Sequence, residues 1–177
     1  SKGDNIFEGV TFDDATYTYD GREKSIEVKG VPDGATVKYN VSNNYTNAGV
    51  YPIEATISKE GYKTLVLTAT LTINKATYDM SGVEFVDKTV VYNGEVQRIE
   101  ISGSLPQGVT VSYENNDNTN VGTYEVVAKF TGDSNNYEAI ADMTAALTIN
   151  KATYDMSGVE FDDKTDVYNG KVQRIEI

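Results

Sequence analysis

Apolar and polar residues alternate with a period of two along most of the chain. Val109, Val111 and Tyr113 are separated by Thr110 and Ser112, and Tyr124, Val126, Ala128 and Phe130 by Glu125, Val127 and Lys129. Ile99 and Ile101 flank Glu100, and Leu147 and Ile149 flank Thr148. Successive side chains of a strand point to opposite faces, so this pattern predicts strands with one apolar and one mostly polar face. Between the runs lie Tyr92-Asn93-Gly94, Leu105-Pro106-Gln107-Gly108, Asn115 to Asn120, and Gly132-Asp133-Ser134-Asn135-Asn136. Asn, Asp and Gly tolerate positive φ and Pro presets a turn angle, so these stretches end strands. No window carries a sustained helical apolar stripe; only Asn136 to Ala141 could close a single helical turn.

The pattern itself recurs. Residues 75–101 reappear at 151–177 with three differences, Val86/Asp162, Val90/Asp166 and Glu95/Lys171. A weaker copy lies upstream. Tyr19-Asp20-Gly21 aligns with Tyr92-Asn93-Gly94, and the Pro-x-Gly-x-Thr-Val-x-Tyr run from Pro32 with that from Pro106. Asn47-x-Gly49-x-Tyr51 aligns with Asn120-x-Gly122-x-Tyr124, and Leu71 to Ala76 with Leu147 to Ala152. Lys2 falls opposite Lys75. The organisation expected is therefore two complete repeats, 1–74 and 75–150, and the start of a third, two strands over 151–177. A chain that stops after the second strand of a repeat reads as a piece of a longer tandem array.

Five or six strands per repeat are too many for one open sheet to bury, which points to an all-β, two-layer sandwich. A half-open, β-grasp-like sheet wrapped on itself has the same periodicity. A repeat of this size is near the lower limit for an independent core, so contact between successive repeats is expected to add stability. The third repeat poses a problem, because an isolated two-stranded hairpin is marginal in water. Its strands need an edge to pair with, in the preceding repeat or in a second molecule; a dimer through 151–177 is the favoured expectation. Asp162 and Asp166, in place of two valines, suit an exposed edge. The stretch from Lys75 to Ser81 has no Gly-Ser or Pro-rich run, so a short, semi-rigid connection and an elongated rod are expected.

Composition narrows the function. The chain has 177 residues, 39 % of them apolar with 15 glycines besides, which is ordinary for a folded protein. Its formal charge of −12 excludes the basic surfaces that grip nucleic acid or anionic membranes. The acidic residues are spread over all the copies and suit solubility and mutual repulsion in an array. No apolar run is long enough to span a bilayer, and Ser1 to Asp4 lack the apolar core of a signal peptide. With no Cys and no His, disulfides, Cys/His zinc sites, thiol nucleophiles and Ser-His-Asp triads are all unavailable.

The remaining candidates for chemistry are acidic or amide clusters. Asp13-Asp14 and Asp162-Asp163 invite a paired-carboxylate or calcium reading, but the middle copy keeps only Asp87, beside Val86. Glu114 to Asn118 offers hard oxygens without the alternating spacing and bidentate Glu of a calcium loop, and so reads as a solvated turn. Asp133 with Asn135 and Asn136 is similar. Asn74-Lys75 and Asn150-Lys151 could be considered for a Lys–Asn isopeptide bond, which needs a buried Lys beside a carboxylic acid. Their place at the repeat junction favours exposure instead. No catalytic, cofactor or metal residue is assigned.

Asn-x-Gly-x-Tyr at Tyr51 and Tyr124 places a Gly two residues before a Tyr that opens a strand, as in the tyrosine corner of immunoglobulin-type sandwiches. A Tyr packed at a strand edge with its hydroxyl in water is the alternative. Tyr92 to Gly94, Leu105 to Tyr113, Thr119 to Tyr124, Phe130 to Tyr137 and Leu147 to Ala152 together resemble the MBG-type repeats of bacterial surface proteins. More broadly they are similar to bacterial immunoglobulin-like repeats. The resemblance covers nearly the whole chain, more strongly in the second repeat than in the first. It implies tandem immunoglobulin-like modules, no catalytic residues and an extracellular place on a bacterial surface. The expected role is a stalk or spacer that holds a distal binding region outward, with adjacent repeats as partners. The alternative is a module that binds host glycan or protein through loops and tyrosines, since Tyr offers both an apolar face and a hydroxyl.

Overall fold

The long alternating runs are strands in the computed structural model, which describes residues 6–177. The alignment of Lys2 with Lys75 and the reading of Ser1 to Asp4 lie outside the described residues. In the first repeat the strands are β1 (Ala15–Thr18), β2 (Thr36–Tyr39), β3 (Gly49–Ser58) and β4 (Leu65–Asn74). In the second they are β5 (Val83–Glu84), β6 (Lys88–Val91), β7 (Ser102–Gly103), β8 (Thr110–Glu114), β9 (Gly122–Thr131) and β10 (Met143–Asn150). The described residues contain no helix.

Each repeat builds a four-stranded sheet of the same order, β1-β4-β3-β2 and β6-β10-β9-β8. The long hairpins β3–β4 and β9–β10 are antiparallel, and β2 and β8 add to them antiparallel. The first strand of each sheet instead lies parallel to the last, with Ala15 opposite Leu71 and Lys88 opposite Leu147. A two-stranded ribbon, β5–β7, forms the second layer of the second repeat. In the first repeat the ribbon shrinks to one bridge, Thr11 to Lys29. The fold is thus all-β and two-layered, a sandwich with one reduced layer.

The inward positions of the long hairpins fill the core. Ile53, Ile57, Leu71 and Ile73 are fully buried in the first repeat, and Val126, Leu147 and Ile149 in the second. Each such side chain contributes about 1.5–3 kcal/mol by leaving water. Val83 of the ribbon packs with Ala128 and Phe130 of β9, which joins the layers. The ribbon approaches itself so closely that a Cβ on Gly103 would lie 1.9 Å from the Gly82 carbonyl oxygen, and Gly103 has φ +89°. Only glycine fits there.

Pro52 sits inside the ten-residue β3, where a missing N–H should break a ladder. It faces Thr70, whose N–H donates away from it to Asp14 Oδ1 at 2.7 Å. On the other side β2 pairs only with Ala55 to Ser58, so Pro52 removes no ladder bond.

The helical turn that Asn136 to Ala141 could close does not form. Residues 134–136 make a turn, and Tyr137 then bridges in parallel to Ala76. The backbone there is held by neighbours: Ala76 N–H donates to the Asn136 carbonyl at 2.9 Å, and Glu138 N–H to the Ala76 carbonyl at 2.8 Å.

Residues 151–177 contain no strand, and every one of them is exposed. The two strands expected there are absent, and the segment adds to neither edge of the preceding sheet. The reason is pairing. In the second repeat β5 pairs with β7 and β6 with β10, and the counterparts of β7 and β10 would fall after Ile177.

Candidate functional site at the repeat joint

Two of the acidic candidates, Asp14 and Asp87, cap backbone donors. Asp14 accepts from Thr70 N–H, just beyond the point where β1 stops pairing with β4. Asp87 does the same for Ala146 N–H at 2.8 Å beside β6 and β10. Each carboxylate satisfies a donor that the short parallel strand leaves free. Asp162 and Asp163 lie in the exposed 151–177 segment.

The Glu114 to Asn118 loop is a clamp rather than a solvated turn. Asn116 Oδ1 accepts from Ile99 N–H at 2.9 Å, and its Nδ2 donates to the Ile99 carbonyl at 2.7 Å. The side chain thus acts as one residue of ladder for an extended segment that has no strand beside it. Asn43 grips Ile26 in the same two-bond way in the first repeat. Nearby, Tyr39 and Tyr113 accept from the N–H of Val28 and Ile101 at 3.1 and 2.9 Å. Asp117 pairs with Arg98, and buried Asn118 donates to the Asn115 carbonyl. Asn74, Lys75, Asn150 and Lys151 are exposed, unlike the buried Lys that an isopeptide bond needs.

The shifted ionisable groups are all at the surface beside a local partner. Lys24 holds Asp20 below the usual carboxylate range, and Asp142 raises Lys129. The hydroxyls of Ser81 and Ser157 hold Asp79 and Asp155 low in the same manner.

Both tyrosine corners form. The hydroxyls of Tyr51 and Tyr124 donate to the carbonyls of Asn47 and Asn120 at 2.6 and 2.7 Å. The Gly of the motif has a steric reason, since a Cβ on Gly49 would lie 2.9 Å from the Tyr51 ring.

These corners also build the joint between repeats. Asn136, at the tip of the β9–β10 loop, is buried. Its Oδ1 accepts from Ala48 N–H at 2.8 Å, and its Nδ2 donates to Asn47 Oδ1 at 3.3 Å and to Asp133 Oδ2 at 2.9 Å. Tyr137 sets its ring edge against Tyr19 of the first repeat, with centroids 5.5 Å apart. Its face stacks on Tyr78 at 3.9 Å. Tyr78 in turn accepts from Asp133 N–H at 2.9 Å. A Cβ on Gly132 would lie 2.6 Å from the Tyr78 ring, so glycine lets the ring in. A side-chain amide is suited to this place, because it satisfies a backbone donor and an amide oxygen at once. A carboxylate would face Asp133 and the Asn47 oxygen without a proton to give.

The MBG domain model matches residues 9–77 and 82–153. The chain belongs to the MBG domain family. Its two MBG repeats therefore correspond to the two four-stranded sheets, the second with its β5–β7 ribbon and the first with the single Thr11–Lys29 bridge. No curated protein matches the chain. Among solved structures, the MBG chain is similar to Drosophila N-cadherin EC1-3, at 6 % identity over 78 % of this chain and 64 % of that one, with a TM-score of 0.31. It therefore spans just under two thirds of that cadherin's length. It is also similar to the fibronectin(III)-like modules of Clostridium thermocellum CbhA, at 12 % identity over 89 % of this chain and all of that one, with a TM-score of 0.30.

The sequence places Asn136 in a loop, as part of a solvated turn or the start of a helical one, and does not show the joint. The signal available was the length of its loop, which is three residues longer than the first repeat's Ser58 to Tyr62 connection. The Asn43 and Asn116 clamps left a signal too, an Asn at the same place in both copies.

Proposed function

We propose that these MBG repeats are structural modules of a bacterial cell-surface protein, joined end to end as a stalk that holds a distal binding region away from the cell. The observation that carries this reading is the joint. A spacer needs a defined angle between modules, and buried Asn136, bonded to Asn47 and Ala48, supports such a joint. Their acidic, cysteine-free composition suits an extracellular array that must stay soluble and not self-associate. Catalysis has no part in this reading, in which Asp14 and Asp87 serve as acceptors for backbone donors. Small-angle scattering of the 177-residue chain tests it. The two MBG repeats should scatter as an extended, narrow distribution that broadens in Asn136→Ala. A compact particle, or a wild type as broad as the variant, contradicts the spacer. A glycan and mucin array should stay silent, and reproducible binding there would favour the adhesive alternative.

A further inference from the structure

The second repeat carries an unfilled copy of the socket that its own loop fills on the first. At the first joint the socket consists of Tyr19, Asn47 and Ala48, and the loop is backed by the Lys75 to Tyr78 segment. The counterparts at the far end of the second repeat are Tyr92, Asn120, Val121 and the Lys151 to Tyr154 segment. The backbone agrees as well as the sequence. Tyr19 N–H donates to the Asn74 carbonyl and Tyr92 N–H to the Asn150 carbonyl, both at 2.8 Å. The corner hydroxyl bonds that hold Asn47 and Asn120 are likewise equivalent. Tyr92, Val121 and Lys151 to Tyr154 line one continuous depression.

What differs is cover. Tyr78 is half-buried under Tyr137, whereas Tyr154 is 92 % exposed. Val121 is also exposed, and no loop stands over it. Val121 in place of Ala48 leaves the joint chemistry intact, because the group Asn136 reads is a backbone N–H.

We infer that the Tyr92, Val121 and Tyr154 surface is a docking socket, and that its occupant is the Asp-x-x-Asn-Tyr loop of a further MBG repeat. A second copy of this chain offers no free equivalent. Its Asn136 is already bonded to its own Ala48, and its first repeat has Ser58 to Tyr62 at the matching place, with no Asn. The inference rests on the spacer reading and adds to it a rule for propagation, in which each repeat reads the corner of the one before.

The test is amide hydrogen exchange on the full chain extended after Ile177 by the sequence of residues 102–150, which supplies a second Asp-x-x-Asn-Tyr loop. Ile175 reports whether the third repeat has folded. In the extended chain the Val121 amide should slow by roughly tenfold relative to the 177-residue chain, toward the rate of Ala48. Asn→Ala in the added loop should restore fast exchange at Val121 and leave Ala48 slow. A protected Ile175 with Val121 still fast overturns the inference. Slow Val121 exchange in the 177-residue chain that depends on concentration assigns the socket to a second copy and also overturns it. Should the extension not fold, Asn136→Ala in the 177-residue chain decides. Ala48 should then exchange roughly tenfold faster while Ile99 stays slow, and an unchanged Ala48 removes the basis for the socket. Failure of the spacer reading would register separately, as ligand binding on the glycan array.

Discussion

Residues 75–101 and 151–177 differ at three positions, and only the first of them is folded into a sheet. Val83 and Ile99 are 6 % and 5 % exposed, while their counterparts Val159 and Ile175 are 44 % and 47 % exposed. The substitutions do not account for this. Val86 and Glu95 are already exposed in the second repeat, and only Val90 is half-buried. The turns, by contrast, are the same in both copies. Ser81 and Ser157 donate their N–H to Asp79 and Asp155, and Glu95 and Lys171 donate theirs to Asn93 and Asn169. Gln97 and Gln173 reach back to those same asparagines. Turn hydrogen bonds close within a few residues and travel with the sequence. Strands need partners far along the chain, and residues 151–177, with no counterpart of β7 or β10 among the described residues, are unpaired here.

Matched substitutions sharpen the contrast. Ile99→Ala should lower the stability of the second repeat by about 2–5 kcal/mol in urea unfolding, since it opens a cavity in a filled core. Ile175→Ala should change stability by no more than about 0.5 kcal/mol. Equal losses would mean that 151–177 packs as the second repeat does. The clamp comes next. Asn116→Ala leaves the Ile99 N–H and carbonyl without partners and should cost about 1–3 kcal/mol, with Asn43→Ala costing the first repeat a similar amount. A neutral Asn116→Ala would show that pairing elsewhere, and not the clamp, holds Ile99. Tyr124→Phe and Tyr51→Phe each remove one corner bond, and unfolding should register about 0.5–1.5 kcal/mol for each.

The smallest effect concerns what the two copies share. Asp79 and Asp155 should both titrate below the usual carboxylate range, each held by its serine hydroxyl. A carboxylate with a depressed folded pKa adds stability above its unfolded pKa and loses it as pH falls through the folded value. Both turns should therefore loosen only in acid, with no change near neutral pH. A titration by NMR in which Asp79 is shifted and Asp155 is not would tie the turn to the sheet and break the distinction between local and distant bonds.

The same division explains what could be read from the sequence. Alternation in Tyr124 to Phe130 and in Leu147 to Ile149 gave β9 and β10, and Asn-x-Gly-x-Tyr gave the corners, because both patterns are short. The parallel pairing of β1 with β4 and of β6 with β10 joins the first and last strands of each four-stranded sheet, and no local pattern encodes it. Asn116 and Asn136 look like ordinary loop residues until distant Ile99 and Ala48 are brought to them. Asp14 looks like half of a carboxylate pair until the short β1 leaves Thr70 N–H in need of an acceptor.

Amide hydrogen exchange of the two near-identical segments, recorded together in the one 177-residue chain, tests the central claim most directly. Those amides of Lys88 to Val91 that donate to β10, and the Ile99 amide, should be protected, and those of Lys164 to Val167 and of Ile175 should exchange as freely as an unstructured chain. Comparable protection in both segments would contradict the account, because it would mean that 151–177 finds strand partners of its own.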